Sequence, residues 1–250
     1  MSNKYWVPAL ERAQEILELI SRQQGKLKMA DINRQLSISK STLFNLLLTL
    51  EDLGWIEKDQ QDRYLLGLKL GIWGNAYFQQ FDLVNLFNKE ALGVKNELNE
   101  SVQLAKLEGN QVLYLAKIGA QSQVQMVSGP GSRMPAHSTG LGKLLLSSLD
   151  EQSVFNLYPQ EELAVLTPHT LSTRTQLLQQ FAEIRSKGYA IDLQEGVMGF
   201  CCVAAPVYDL SGTMNAAVSV SVPIHNWEAK FESVKVHTLM LGRKLSMTTE

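Results

Sequence analysis

Between residues 8 and 70 the apolar positions fall at helical spacing in three short runs, then switch to the short extended runs of a hairpin. Pro8 suits the first turn of a helix running to about Gln24, with Leu10, Ala13, Leu17 and Ile20 on one face and Gly25 as its terminator. Residues 28–36 form a second, shorter amphipathic helix with Met29, Ile32 and Leu36 on one side. A tight turn at Ser37-Ile38 leads to Ser39, whose side-chain oxygen is suited to accept from a free backbone N–H of the next turn. The helix it opens, 40–53, sets Leu43, Leu46, Leu47, Leu50 and Leu53 on one stripe, and Ser41, Asn45 and Asp52 on the other with Leu48 among them. Gly54 ends it. Residues 55–58, a polar tip at 59–62 and residues 63–65 then predict a β-hairpin. Helix, turn, helix and hairpin in this order predict a winged helix-turn-helix, a unit that reads DNA.

Residues 68–87 read as helix, with Ile72, Trp73, Tyr77, Phe78 and Phe81 supplying more large apolar groups than one small domain can cover. This predicts a connecting helix that also packs against a second copy of the chain. An interior helix of one continuous domain is the alternative. From Leu86 the pattern changes to a helix at 86–99, then alternating runs at 102–107 and 112–118 around Gly109-Asn110, a hairpin signal. A third short strand is expected at 124–127 and a turn at Gly129-Pro130-Gly131. Residues 140–149 form a helix with small residues at its start. Asp150 caps a short helix, and Thr173 caps another at 174–187 that stops at Gly188. Strands follow at 189–193, 203–208 and 214–222, with a turn at 209–212, and a helix at 227–246 closes the chain. Helices mixed with hairpins predict an α+β domain with a largely antiparallel sheet. The expected organisation is a winged helix-turn-helix over 1–70, a linker helix over 71–85 and an α+β domain over 86–250.

Length, 250 residues, accommodates those two domains, and the net charge of −2 argues weakly against nucleic acid until its distribution is considered. From Arg22 to Asn45 the cations Arg22, Lys26, Lys28, Arg34 and Lys40 face Asp31 alone, and the hairpin adds Lys58 and Arg63. A local basic patch on a near-neutral chain suits site-specific binding, in which phosphates position and base edges specify. No window approaches the ~20 apolar residues of a membrane span, and the N-terminus lacks the apolar core of a secretory signal. The only two cysteines, Cys201 and Cys202, are adjacent and so poorly placed for a relaxed disulfide. The expected setting is therefore the reducing cytoplasm, without membrane.

On the reading helix, Ser39, Lys40, Ser41, Thr42 and Asn45 occupy the end that reaches DNA in such domains. Asn45 is the leading candidate for a base edge, Lys40 and the hydroxyls serve phosphates, and for Ser39 capping is favoured over DNA contact. Lys58 and Arg63 flank the hairpin tip, where they can hold a phosphate or enter a minor groove. Two symmetric heads would read segments about one helical turn (~34 Å) or a multiple apart, so the operator is expected to be near-palindromic. In the second domain, residues 215–222 place Ala216, Val218, Val220 and Val222 on one face, and Ala217, Ser219 and Ser221 on the other. Gly140-Leu141-Gly142 opens a helix with bare backbone, whose free N–H groups favour a carboxylate. With Asp192 as acceptor for a ligand hydroxyl, these residues predict a pocket for a small organic acid. The competing reading makes the serines solvent-facing and Gly140 a plain turn residue.

Other chemistries are weaker. His137 is expected to be structural, and a metal set of His137, Asp192 and Cys202 lacks compact ligand spacing, so no metal and no cofactor are expected. Gly142-Lys143 lacks the first glycine and the Ser/Thr of a phosphate loop. No Gly-x-Ser-x-Gly elbow exists, and the Ser-x-x-Lys at residues 37–40 lies in the reading turn without its partner motifs. The chain is therefore not expected to be an enzyme. A hydrolase built on Ser219, His137 and Asp192, or a ligand module reporting to a protein partner, are the alternatives.

VPALERAQEILELI (7–20), SKSTLFNLLLTLEDLGWI (39–56) and YLLGLKL (64–70), followed by GSRMPAHSTGLGKLLL (131–146), RSKGYAIDLQEGVMGFCCVAAPVYD (185–209) and AAVSVSVP (216–223), resemble the IclR family of bacterial transcription regulators over nearly the whole chain. The resemblance implies a winged-helix domain, a linker helix and an effector-binding domain of GAF-like topology. It also implies dimers through the N-terminal domains, often tetramers through the sensing domains, and a small organic or aromatic acid as effector. It carries effector binding onto Met126, Gly140, Leu141, Asp192, Cys202, Ser219 and Ser221. Two positions depart from the pattern. Asn45 stands where the family usually has arginine, and Phe44 beside it is larger than expected. Asparagine pairs bidentately with adenine where arginine pairs with guanine, so no base preference is transferred. The expectation is a homodimeric or homotetrameric regulator whose effector shifts the arrangement of its reading heads, with repression the expected sign and a keto or sugar acid favoured over a bulky aromatic one.

Overall fold

A computed structural model describes residues 7–79, 82–120 and 129–246. The strand expected at 124–127, and Met126 with it, lie outside the described residues. The chain divides into two compact units, 1–80 and 81–250.

The first unit is built from α1 (Pro8–Arg22), α2 (Met29–Gln35), α3 (Lys40–Asp52), β1 (Ile56–Lys58), β2 (Tyr64–Leu66) and α4 (Leu68–Gln79). Ala13, Ile16 and Ile20 of α1 meet Ile32 of α2, Leu43, Leu47 and Leu50 of α3, and Ile56 and Tyr64 of the hairpin in one core. The face of α1 differs from its expected composition. Ile16 is fully buried, whereas Leu10 is 63% exposed because it sits in the first turn, beyond the reach of α2 and α3. Leu53 is also half exposed, since it caps α3 instead of continuing its stripe. Ile38, read as a turn residue, is buried, and Asn33 fixes its turn by donating to the Ile38 carbonyl at 2.8 Å. The hairpin pairs Ile56 with Leu66 and Lys58 with Tyr64. Gly67 lies so close to the end of α3 that a Cβ there would meet the Gly54 carbonyl oxygen at 2.3 Å. Trp55 packs edge-to-face on Trp73 of α4, ring centroids 5.2 Å apart. Leu68 and Ile72, one turn apart on α4, remain exposed.

The first helix of the second unit is α5 (Asp82–Leu98), and the stretch read as helix over 68–87 is helical on both sides of residues 80–81, which lie outside the described residues. Among the described residues the unit's sheet has six antiparallel strands: β3 (Ser101–Glu108), β4 (Gln111–Ile118), β5 (Arg133–Pro135), β6 (Ala190–Leu193), β7 (Phe200–Tyr208) and β8 (Met214–Pro223). Their spatial order is β5-β4-β3-β8-β7-β6. The helices are α6 (Gly140–Ser147), α7 (Glu151–Leu157), α8 (Arg174–Lys187) and α9 (Ile224–Leu245). α5 and α9 pack together on one face of the sheet, while α6, backed by α8, covers the other. The caps are the expected ones. Asp150 accepts from the Ser153 N–H at 2.7 Å, Thr173 and Gln176 form a reciprocal box, and Gly188 ends α8 with φ of 75°. Strand alternation sorts the faces. Ala105, Ala190, Ala204 and Ala217 pack with Tyr114 under α6 and α8, and the small alanine side chains let the helix approach the sheet closely. β5 had no counterpart in the sequence pattern, because three residues with one apolar side chain give no periodicity.

Candidate nucleic-acid interface and ligand pocket

In the first unit, the N-terminal end of α3 presents Lys40, Ser41 and Asn45 to solvent. Ser39 caps the helix. Its Oγ accepts from the Thr42 N–H at 3.3 Å and donates to the Thr42 hydroxyl at 2.8 Å, so both serve helix initiation. At 100° per residue, Ser41, Asn45 and Leu48 point away from the buried stripe of Leu43, Leu47 and Leu50, with Phe44 on their flank. Phe44 is 55% exposed and Leu48 49%, an apolar edge on an otherwise polar face.

The hairpin cations are already paired. Lys58 Nζ lies 2.7 Å from Glu51 Oε2 and 5.3 Å above the Tyr64 ring, and the Glu51 bond holds its pKa above the usual lysine value. Arg63 Nε donates to Asp59 Oδ2 at 2.7 Å and its Nη2 to Gln61 Oε1 at 2.9 Å. Asp59 also accepts the Gln61 and Arg63 amides, and these bonds, led by that from Arg63, lower its pKa. Both pairs are partly exposed, and pairs of this kind contribute little stability.

In the second unit, α6 starts beside the ends of β6, β7 and β8. Register places Asp192 opposite Cys202, Cys202 opposite Ser221, and Ala204 opposite Ser219. Four of the sequence candidates, Asp192, Cys202, Ser219 and Ser221, thus line up across three strands on the face under α6. Together with Leu141 they line one pocket, joined by Tyr114, Met134, Thr139, Gly196 and Phe200. Ser219 and Ser221 are buried, not solvent-facing. The pocket encloses about 360 Å³ of atom-free space, counting its mouth, but only about 20 Å³ of it can hold the centre of a water molecule. That is room for about one water, so a larger ligand must push the walls apart.

The two helix-opening glycines have different roles. Gly142 is a packing residue: a Cβ would meet the Ala136 carbonyl oxygen at 2.1 Å, and its N–H is taken by the Thr139 hydroxyl at 3.0 Å. Gly140 is not itself among the lining residues but lies behind two that are, where a Cβ would be 3.0 Å from the Cys202 sulfur and 3.5 Å from Asp192. The Cys202 sulfur lies 3.9 Å from Asp192 Oδ2, and burial pushes its thiol pKa well up.

Several groups at the site carried no sequence signal. Lys143, fully buried in α6, forms an ion pair with Glu195 and donates to Gln180 Oε1 at 2.8 Å. Glu195 donates its N–H to Asp192 Oδ1 at 2.7 Å. Burial, then the nearby Glu195 carboxylate, raise the Asp192 pKa to about 7. Gln103, opposite Ser219 on β3, accepts from both pocket hydroxyls, Ser219 at 3.0 Å and Ser221 at 3.2 Å. Lys117, opposite Gln103 on β4, is half-buried, and desolvation lowers its pKa. A lone lysine in GLGKLLL was the one legible hint, and only as an anomaly on an apolar helix.

His137 is buried with Nε2 2.8 Å from the Ala164 carbonyl, and it lines a separate groove with Asn110 and Tyr158. With His137 bonded to a backbone carbonyl and Ser219 to Gln103, the serine–histidine bond of a hydrolase is not made. Among the described residues no cluster of three His, Cys, Asp or Glu side chains is placed to hold a metal. Among them, too, no helix is long and apolar enough to cross a membrane.

Two family models match the chain, the IclR helix-turn-helix domain over residues 9–60 and the bacterial transcriptional regulator IclR C-terminal domain over residues 75–245. The HTH-type transcriptional regulator XynR of Escherichia coli is 34% identical over 220 residues, covering 86% of each chain. The HTH-type transcriptional repressor AllR of E. coli is 32% identical over 216 residues, covering 86% of this chain and 80% of its own. The structure of an IclR homologue from Microbacterium hydrocarbonoxydans, complexed with 4-hydroxybenzoate, superposes with a TM-score of 0.79 at 22% identity, covering 95% of this chain and 98% of that one. One family thus claims the reading helix in the first unit and the pocket strands in the second, and the chain belongs to it: the IclR family of bacterial transcriptional regulators, with a helix-turn-helix DNA-binding domain.

Proposed function

We propose that the protein is a cytoplasmic repressor that binds a near-palindromic operator as a homodimer or homotetramer, and that a small organic acid in the α6 pocket controls its affinity. The observation that carries the effector half is the line of Asp192, Cys202, Ser221 and Ser219 across three strands, buried beneath the Gly140-Leu141 start of α6. Polar groups gathered in a concave, otherwise apolar site are what orient a small ligand. A relative carries the name repressor, and a structural neighbour holds 4-hydroxybenzoate, an acid. Met126 is assigned to the same pocket by family resemblance. On the DNA side, Ser39, Lys40, Ser41, Thr42 and Asn45 of the reading helix and Lys58 and Arg63 of the wing are the contacts, with Asn45 reading a base edge. Leu68 and Ile72, exposed one turn apart on α4, supply an apolar stripe for dimerisation, and the linker helix is placed at 71–85 between domains of 1–70 and 86–250.

The effector acts by binding one arrangement of the reading heads better than the other, and can shift them by no more than that difference. The test is a gel shift on the promoter regions flanking the protein's own coding sequence, across a salt series, with and without candidate acids. A single retained fragment that survives competitor DNA, and whose retention an acid changes, supports the reading. Asn45→Ala is expected to lose operator discrimination while ligand binding persists. Ser219→Ala with Ser221→Ala is expected to lose the acid response while DNA binding persists. Binding without any sequence preference, in promoter fragments and random pools alike, would sink the repressor assignment.

A further inference from the structure

The two pocket serines are not free to donate to a ligand. Both hydroxyls converge on one oxygen, Gln103 Oε1, at 3.0 and 3.2 Å. A hydroxyl has one proton, so each serine turns its lone pairs, and not its proton, toward the cavity. A carboxylate offers only acceptors, and against this pair of serines it would meet acceptors. The missing donor is on the same side chain. Gln103 is 1% exposed, and its Nε2 is buried with no hydrogen-bond partner among the described residues. Buried amide groups are nearly always satisfied, and this one carries two N–H bonds beside the hydroxyls that line the pocket. Strand register fixes the location, since Gln103 is paired with Ser219 and therefore shares its face. The ammonium of Lys117, the next residue across the sheet, adds positive charge on the same row.

We propose that Gln103 is an effector-binding residue whose side-chain Nε2 donates to an oxygen of the bound acid, an inference that rests on the effector reading above. In this arrangement Ser219 and Ser221 hold the amide in orientation and accept from any hydroxyl the acid carries. The donor comes from Gln103. The pocket is then tuned to a ligand with a carboxylate at one end and a hydroxyl at the other.

The experiment is calorimetric titration of the full-length protein with sodium lactate, sodium pyruvate and sodium 4-hydroxybenzoate at millimolar concentration. It is paired with ¹⁵N spectra of the side-chain amides, in which Gln103 is the pair absent from Gln103→Met. At least one acid is expected to bind the wild type and to shift the Gln103 pair saturably. The same acid should bind Gln103→Met roughly tenfold or more weakly, the loss of one hydrogen bond to a charged group. If Gln103→Met does not fold, Gln103→Glu keeps an acceptor for both serines and removes the donor, and takes its place in both measurements. Gln103 resonances that stay put while an acid binds, with binding lost in Ser219→Ala/Ser221→Ala, would assign the donors to the serines and overturn the proposal. Unchanged affinity in the Gln103 variant overturns it as well. A wild type that binds none of the three acids removes the effector reading itself, and this inference with it.

Discussion

Replacing Lys143 by methionine isolates the cost of the charge buried beneath the pocket. The Lys143 and Glu195 side chains are 1% and 7% exposed, so neither charge is solvated when the other is removed. Methionine fills much of the lysine's volume, which keeps a cavity term small. What remains is a buried carboxylate that has lost its cation, with one oxygen, Oε2, already without a partner among the described residues. Breaking such a pair from one side costs about 3–5 kcal/mol, and the second unit, 81–250, is of a size where each kcal/mol moves the midpoint by about 2–4 °C. The melting temperature should therefore fall by roughly 6–20 °C. Adding Glu195→Gln removes the stranded charge and should return most of the stability. Thermal and urea unfolding followed by far-ultraviolet circular dichroism give both numbers. A loss under about 1 kcal/mol, or a double variant no more stable than the single, would refute the idea that this pair is closed to water.

Three further outcomes follow from named contacts. Asp192 holds its proton up to about pH 7 in the folded chain against an ordinary value of 3.8, so folding retains a proton that the unfolded chain loses. Stability attributable to this group falls as pH rises from about 4 to 7, by up to about 4 kcal/mol. Asp192→Asn should flatten that decline in urea unfolding across the window, and an unchanged slope would contradict the assignment. Gly142→Ala drives a methyl into the Ala136 carbonyl, which the structure places 2.1 Å from the new carbon. A loss of about 3 kcal/mol is expected on thermal unfolding, and a neutral result would mean that α6 can shift away from that turn. Ser39→Ala removes the cap of α3 and should cost about 1 kcal/mol of stability. Base preference in a selected-site assay should stay intact, because the side chain serves the helix; a changed preference would make Ser39 a reading residue.

The first unit was legible because its information is local. Cap, stripe, terminating glycine and alternating hairpin lie within a few residues of one another, and Ser39, Leu43, Gly54 and Tyr64 each occupy the position their type favours. Errors such as Leu10 and Leu53 occur at helix ends, where a correct period does not reveal how far the neighbouring helix extends. In the second unit, alternation in β8 separated the serines from the valines, but it said nothing about which strand lies alongside. Gln103 is 116 residues from Ser219 and meets it only because β3 and β8 are neighbours in the sheet. Lys143 and Glu195 are likewise joined by the way α6 crosses the end of β6. Long-range pairing creates these contacts, and no single window of sequence encodes it.

The paired wing bears on how the protein finds its site. Lys58 and Arg63 must leave Glu51 and Asp59 before either can hold a phosphate, so contact on arbitrary DNA exchanges one ion pair for another and gains little. Counterion release, which normally makes wrong sequences sticky, is correspondingly muted at the wing. A head of this kind is expected to leave non-cognate DNA quickly and to settle where the bases beneath α3 slow it. Residence time, more than attraction, then becomes the quantity that distinguishes the operator from the rest of the chromosome.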